Sequence, residues 1–120
     1  MQLSKLLLKH GGDLLVAPPK ADPDVQEILE CGILTGGIIK LNIMSSSSCH
    51  QNVASLWMDR KFGIVAVATG YALSDDGLWR QHSWCILPDG VLETTESRLK
   101  YFGIVLQGQR ADHFAECNAP

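Results

Sequence analysis

The chain has 120 residues and a formal net charge of −3, with 46% hydrophobic and 19% charged residues. This size and composition are typical of one globular domain with one core, so we predict a single domain over residues 1–120. The acidic balance and the scattered Lys and Arg residues argue against a nucleic acid or an anionic membrane surface as partner.

The N-terminal residues and the cysteines bear on the compartment. The apolar run near the start is too short for a secretory segment, and no stretch approaches the roughly 18 apolar residues of a membrane span. The cysteines are widely spaced and form no C-x-x-C pair. We therefore expect reduced thiols in a cytoplasmic protein.

The first third of the chain predicts short helices. Residues 3–9 fit a helix that ends before two glycines. The segment Asp22-Pro23-Asp24 supplies an N-cap and a proline for the first helical position, which predicts a second helix that runs to about Cys31. The apolar run Ile38 to Ile43 predicts a strand or an extended lead-in.

The remaining chain predicts one longer helix and then strands. A serine run over residues 45–48 provides an N-cap for a helix from about Cys49 to Arg60. Strands are predicted over residues 64–73, 78–87, 91–95 and 101–107, and one or two helical turns over 111–117. Helices precede an antiparallel sheet in this pattern, so the predicted fold class is α+β.

Cys49 is the candidate nucleophile. It stands at a predicted helix N-terminus, where free N–H groups and the helix dipole favour a thiolate and lower the pKa of the thiol. The same N–H groups can hold an oxyanion. The alternative is a small buried hydrophobic residue, which is the usual place of a free cysteine.

His82 is the candidate base, and Glu93 is the candidate carboxylate that orients it. The alternative for His82 is an ordinary surface histidine. His50 adjoins Cys49, but neighbouring helical residues point about 100° apart, so we assign it to the surface or to the lining of a cleft. Trp84 is predicted to shield the pair from water, with core packing as its alternative.

The reach from Glu93 to His82 depends on the predicted hairpin. A two-residue loop at 89–90 places Glu93 roughly 13 Å along the strand from His82. A four-residue loop over 87–90 makes it a diagonal neighbour that a Glu side chain can reach. A three-residue loop instead places Glu96 opposite His82, so Glu96 is the rival acid. The triad therefore requires a loop longer than two residues, or a bulge.

Other polar residues near the candidate nucleophile complete the predicted site. Gln51, Asn52 and Asn42 are candidates for a second oxyanion donor. His82 and Cys85 point to opposite faces of a strand and cannot share a metal ion there. We predict neither a metal ion nor a cofactor.

Four short motifs stand in an order that resembles a known superfamily. They are Cys49 with Ala54 and Leu56, the segments 60–64 and 70–71, His82-Ser83-Trp84, and Glu93-Thr94-Thr95. Together they resemble the transglutaminase-like branch of the papain-like cysteine hydrolases, with one extra residue before Ala54 and Glu in place of Asp. Residues 49–53 are also similar to the nucleophile segment of N-terminal glutamine amidohydrolases, which share that fold.

The resemblance implies a papain-like core with the nucleophile helix packed on a small antiparallel sheet. It implies amide hydrolysis or acyl transfer through a thioester, as in a peptidase, amidase, deamidase or transglutaminase-like crosslinker, on a peptide, protein or small amide. The alternative is a non-catalytic or degenerate domain of this fold that acts by binding proteins, with Cys49 buried and unreactive. Substrate identity and oligomeric state stay open, and residues 1–40 and 100–120 carry no functional pattern.

Overall fold

A computed structural model describes residues 2–120 and shows an α+β fold with four helices and a mixed, curled sheet. The helices are α1 (Gln2–Leu8), α2 (Val25–Cys31), α3 (Cys49–Asp59) and α4 (Gly108–Asn118). The strands are β1 (Leu14–Leu15), β2 (Ile33–Thr35), β3 (Ile38–Leu41), β4 (Ala66–Leu73), β5 (Leu78–Leu87), β6 (Gly90–Glu93) and β7 (Lys100–Leu106).

Six of the strands form a half-barrel in the order β2-β7-β4-β5-β6-β3, and β1 pairs with β5. The central pairs are antiparallel, whereas β3–β6 and β1–β5 are parallel. The prediction of a purely antiparallel sheet is therefore wrong at those two pairs. The strands β1 and β2, with two and three residues, are too short to produce a readable pattern.

The predicted elements agree best where the pattern is long. Strand β5 has the predicted bounds, and α3 begins at Cys49 as predicted. Helix α2 begins at Val25 rather than at Pro23, because Asp22 closes a turn in which its Oδ1 accepts the backbone N–H of Asp24 at 2.8 Å. Helix α4 has 11 residues, longer than the predicted one or two turns.

The helices cover one face of the sheet. Helix α3 buries Val53, Leu56 and Trp57 on the same cluster as Phe114 of α4. Strand side chains alternate between the two faces, so the other face carries a smaller cluster of its own. That cluster contains Ala68, Ala72, Trp84, Val91 and Tyr101. By the same alternation, His82 and Glu93 belong to this second face.

Strands β4 and β7 approach each other closely beside His82. Gly70 pairs with His82 on one side and with Gly103 on the other. A Cβ atom at Gly70 would lie 2.3 Å from the carbonyl oxygen of Phe102, and one at Gly103 would lie 2.3 Å from that of Thr69. Glycine is therefore required at both positions of this row.

Strand β5 has an open edge in its middle. On that side β1 pairs only with residues 78–79 and β6 only with residues 85–87. The intervening residues of β5 have no strand partner there, and the N-terminus of α3 reaches this gap. Among residues 2–120, none of the helices combines the length and apolar composition that crossing a membrane requires.

Candidate active site

The β5–β6 hairpin has the register that the triad needs. Its paired residues are Cys85 with Leu92, Ile86 with Val91, and Leu87 with Gly90. One step further, this register places Glu93 opposite Trp84 and diagonal to His82, as the four-residue loop predicted. The extra pair leaves only Pro88-Asp89 in the loop. The prediction that the triad requires a loop longer than two residues, or a bulge, is therefore wrong. The observed two-residue loop spans residues 88–89 and starts one residue earlier than the loop at 89–90, which would place Glu93 too far from His82.

Glu93 is fully buried and holds the ring of His82. The Nε2 atom of His82 lies 2.8 Å from Oε1 and 3.1 Å from Oε2 of Glu93. An ionised carboxylate can only accept hydrogen bonds, so Nε2 carries the proton and donates it. The carboxylate thereby fixes the ring orientation, and Nδ1 is the nitrogen left for the thiol.

Further donors keep Glu93 ionised. The hydroxyl of Tyr101 donates to Oε1 at 2.8 Å, and the backbone N–H and the hydroxyl of Thr95 each donate to Oε2 at 3.0 Å. The guanidinium of Arg98 lies 3.9 Å from Oε1. Burial alone raises the pKa of Glu93, but the hydrogen bond and charge of His82, with Thr95 and Tyr101, hold it at about 2.

The thiol of Cys49 is half-buried at the first residue of α3. Burial raises its pKa, whereas the nearby side chains and charges of His50 and His82 bring it down to about 5. The pKa of His82 moves the other way: burial lowers it, and its interactions with Cys49 and Glu93 raise it above its ordinary value. The two shifts favour a thiolate at Cys49 and a charged ring at His82.

His50 is a second imidazole at the thiol. Its Nδ1 donates to the hydroxyl of Ser83 at 2.5 Å, and that hydroxyl donates to Thr69 at 3.1 Å. We predicted a surface or cleft position from the 100° separation of helical neighbours, and His50 does line the cleft. Its effect on Cys49 was missed, because the tether to Ser83 on β5 turns the ring and the helix alone does not show it.

Aromatic rings separate the His82–Glu93 pair from solvent. Trp84 is buried and stacks on His82 with ring centroids 6.1 Å apart, and Tyr101 lies 4.9 Å from Trp84. The Nε1 atom of Trp84 is the buried side-chain polar atom, within residues 2–120, that has no hydrogen-bond partner. Trp84 thus both packs a core and separates His82 from solvent, which are the two alternatives weighed for it.

The predicted oxyanion donors lie elsewhere. The buried side chain of Asn52 donates to the carbonyl of Ser45 at 2.8 Å and to Thr94 at 3.3 Å, so it holds the loop before α3. Gln51 is exposed, and Asn42 follows β3; neither lines the cavity at Cys49. Asn52 and Gln51 are not placed to stabilise an oxyanion, because α3 turns Asn52 inward and Gln51 outward, and Asn42 lies outside the lining of the cavity.

Two further predictions are corrected by the surroundings of the triad. The side chain of Glu96 is 70% exposed and lies 3.7 Å from Arg98, so Glu93 and not Glu96 is the acid at His82. Ser48 occupies the N-cap position of α3 but makes no side-chain capping bond. The N–H groups of the first turn are therefore not covered by that hydroxyl.

Cys49 and His82 open into a cavity of about 620 Å³. Gln81, Arg80 and Arg98 also line it. Sequence reasoning missed Gln81, because strand alternation places its side chain on the other face of β5 from that of His82. The open edge of β5 explains why both neighbours reach one cavity: no adjacent strand closes the edge between them.

Within residues 2–120, no group of three or more His, Cys, Asp or Glu side chains is placed to hold a metal ion. Comparison with models of protein families, with curated proteins and with solved structures gives no match. What the site does is therefore argued from its own residues.

Proposed function

We propose that the chain is a cysteine-dependent amide hydrolase or acyl transferase. Cys49 acts as nucleophile and His82 carries the proton. Glu93 orients the ring of His82 and stabilises its charged form. One observation carries the proposal: a buried carboxylate orients an imidazole that lines the same cavity as a thiol whose pKa is about 5. This combination supplies an activated nucleophile and its proton carrier without any further group.

In the first step the Cys49 thiolate attacks a carbonyl carbon of the substrate. The C–S bond forms as the carbonyl π electrons move onto oxygen. The backbone N–H groups of the first turn of α3, which have no intrahelical partners, face the developing oxyanion. The side chain of Gln81 lies in the same cavity and is the candidate for an additional donor.

In the second step the His82 imidazolium gives its Nδ1 proton to the leaving nitrogen, and the C–N bond breaks. The product amine departs and leaves a thioester on Cys49. Neutral His82 then takes a proton from water, or from an acceptor amine, as that nucleophile attacks the thioester carbonyl. The C–S bond breaks and the thiolate–imidazolium pair is restored. The acceptor decides between hydrolysis and acyl transfer.

The papain-like, transglutaminase-like assignment is part of the proposal. It is supported by the order Cys, His, Glu along the chain and by a nucleophile helix packed on β5, the strand that carries His82. The parallel β3–β6 pair and the packing of α4 on α3 are features that the resemblance did not imply.

A binding domain without catalysis is the rival function. It predicts a buried and inert Cys49. The half-buried position of Cys49 and a pKa of about 5 favour the enzyme. A peptide, protein or small amide remains the proposed substrate class.

The test is the pH dependence of alkylation by iodoacetamide, read at each cysteine by mass spectrometry. We expect Cys49 to react with a midpoint near pH 5, and to lose that midpoint in His82→Ala. Exposed Cys31 and Cys117 are internal controls. Acylation by p-nitrophenyl acetate should then place one acetyl group on Cys49. Alkylation of Cys49 with a midpoint near pH 8.5, at a rate no higher than that of Cys31, would contradict the enzyme and leave the non-catalytic binding domain as the function.

A further inference from the structure

A second cavity adjoins the one at Cys49. It encloses about 520 Å³ and shares His50 and Gln81 with the first cavity. Its walls come from the start of α2, from β4 and from α4, which are largely the segments without a functional pattern in the sequence. A group bound here would lie on the far side of His50 from the nucleophile.

The walls of this cavity combine an apolar surface with one acidic end. Pro23, Leu106 and Phe114 provide the apolar part, and Asp22 and Asp24 lie at the entry to α2. This combination suits a group with a hydrocarbon stem and a polar tip.

The charge at the acidic end is not balanced. Asp22 already accepts the N–H of Asp24 and the hydroxyl of Tyr71, each at 2.8 Å. The carboxylate of Asp24 makes no side-chain hydrogen bond or ion pair with any of residues 2–120. Arg110, the cation nearest to it in the lining, is held by both oxygens of Glu27 at 2.7 and 2.8 Å.

The titration of Asp24 reflects this excess of negative charge. Burial raises its pKa first, and the charges of Asp22 and Glu27 raise it further, against smaller opposite effects of Arg110 and His50. A cation brought into the cavity would relieve these repulsions. His50 influences both Asp24 and Cys49, so the acidic end lies within electrostatic range of the ring that borders the nucleophile.

We propose that this second cavity binds a cationic side chain of the substrate, a lysine-like alkylammonium, with its stem on Leu106 and Phe114 and its charge at Asp24. The proposal rests on the proposed function in one respect, that the bound molecule presents its carbonyl to Cys49. Binding of the cation itself does not depend on catalysis and is measured separately.

The binding test uses three probes: the N-acetyl methylamides of lysine, norleucine and glutamate. Side-chain amide NMR signals of Gln81, Gln109 and Asn118, all in the cavity lining, report the site. We expect the lysine probe to shift them and to bind about tenfold tighter than the norleucine probe, because a half-buried carboxylate gains a charged hydrogen bond. Equal binding of lysine and norleucine, or tighter binding of glutamate, overturns the proposal.

Three variants locate the charge. Asp24→Asn keeps an N-cap residue of equal quality and should remove most of the lysine preference. Arg110→Gln removes the lining cation and should increase it. Asp75→Asn makes the same charge change in an exposed turn outside the cavity and should leave it unchanged. A lysine preference that persists in Asp24→Asn contradicts the assignment.

The link to the nucleophile is tested with tosyl-lysyl and tosyl-norleucyl chloromethyl ketones, which form a C–S bond to Cys49 with loss of chloride. We expect the lysyl reagent to inactivate several-fold faster, and Asp24→Asn to abolish the difference while iodoacetamide alkylation stays the same. Normal iodoacetamide reactivity without a lysyl preference overturns the subsite and leaves the proposed function standing. An inert Cys49 with specific lysine binding overturns the proposed function and leaves the cationic site.

Discussion

Cys85 is buried and Cys49 is half-buried, yet the pKa values of their thiols are shifted in opposite directions. Burial raises the pKa of Cys85 to about 12, with a further increase from the charge of Glu93. Cys49 experiences burial as well, but two imidazoles lower its pKa to about 5. Burial alone therefore disfavours a thiolate, and the imidazoles of His50 and His82 reverse that effect at Cys49.

The same carboxylate acts on both thiols. Glu93 disfavours the thiolate of Cys85 directly by its charge. It favours the thiolate of Cys49 indirectly, because it stabilises the charged form of His82. One buried charge thus acts in opposite directions on the pKa of two cysteines on neighbouring elements.

Replacing each of the two cysteines by alanine in turn should give the largest difference between them. We expect Cys49→Ala to reduce acylation by p-nitrophenyl acetate by at least about 10³-fold. Cys85→Ala should keep the rate and instead cost about 1–2 kcal/mol of unfolding free energy in urea, because it removes a buried sulfur. Loss of acylation in Cys85→Ala, with the fold intact by circular dichroism, would contradict the assignment of the nucleophile.

Removing the imidazole that Glu93 holds should have the next largest effect. In His82→Ala the thiol loses its ion-pair partner and its proton carrier, so acylation at pH 7 should fall by about 10²- to 10³-fold. His10→Ala is the control, since His10 stacks on Phe102 and lies outside the cavity at Cys49. Equal effects of the two substitutions would show that His82 only packs the core.

The buried carboxylate should show itself in the acid stability. The pKa of Glu93 is lowered from 4.5 to about 2, so its contribution is present above pH 4.5 and is lost as pH falls toward 2. Between pH 6 and pH 3 we expect the wild type to lose about 2 kcal/mol more than Glu93→Gln. Urea unfolding of both proteins at pH 6 and pH 3 measures this. Parallel losses in the two proteins would refute the linkage.

Substitution of His50 should change the pKa of Cys49 but have the smallest effect on turnover. His50→Gln should raise the alkylation midpoint of Cys49, because a hydrogen bond and a charge that lower its pKa are weakened. Above the new midpoint, acylation should stay within about fivefold of the wild type, since His82 still transfers the proton. A loss as large as that of His82→Ala would make His50 the proton carrier instead.

The long, patterned elements of the chain were predictable. Strand β5 and the start of α3 follow from alternation and from the serine run before Cys49, and together they predict the place of the nucleophile and of His82. The reach of Glu93 followed from register arithmetic. The loop length did not, because one extra pair at Leu87 and Gly90 closes the hairpin without changing its register.

Long-range partners could not be predicted. Tyr101 of β7 donates to Glu93, but only the curl of the sheet brings β7 to it, and no local pattern encodes that curl. The tether of His50 to Ser83 likewise joins residues 33 positions apart. The positions of Gln51 and Asn52 could not be predicted either, because which side of α3 faces the cavity depends on the packing of the helix.

The glycine row beside His82 bears on how variants of this chain should be interpreted. Gly70 and Gly103 carry no side chain, yet a methyl group at either one collides with a neighbouring carbonyl oxygen. Such a substitution spreads the strands next to the imidazole. In a saturation scan selected for turnover, these two positions should therefore score with Cys49 and His82, and tolerance maps alone will not separate residues that perform the chemistry from residues that set its geometry.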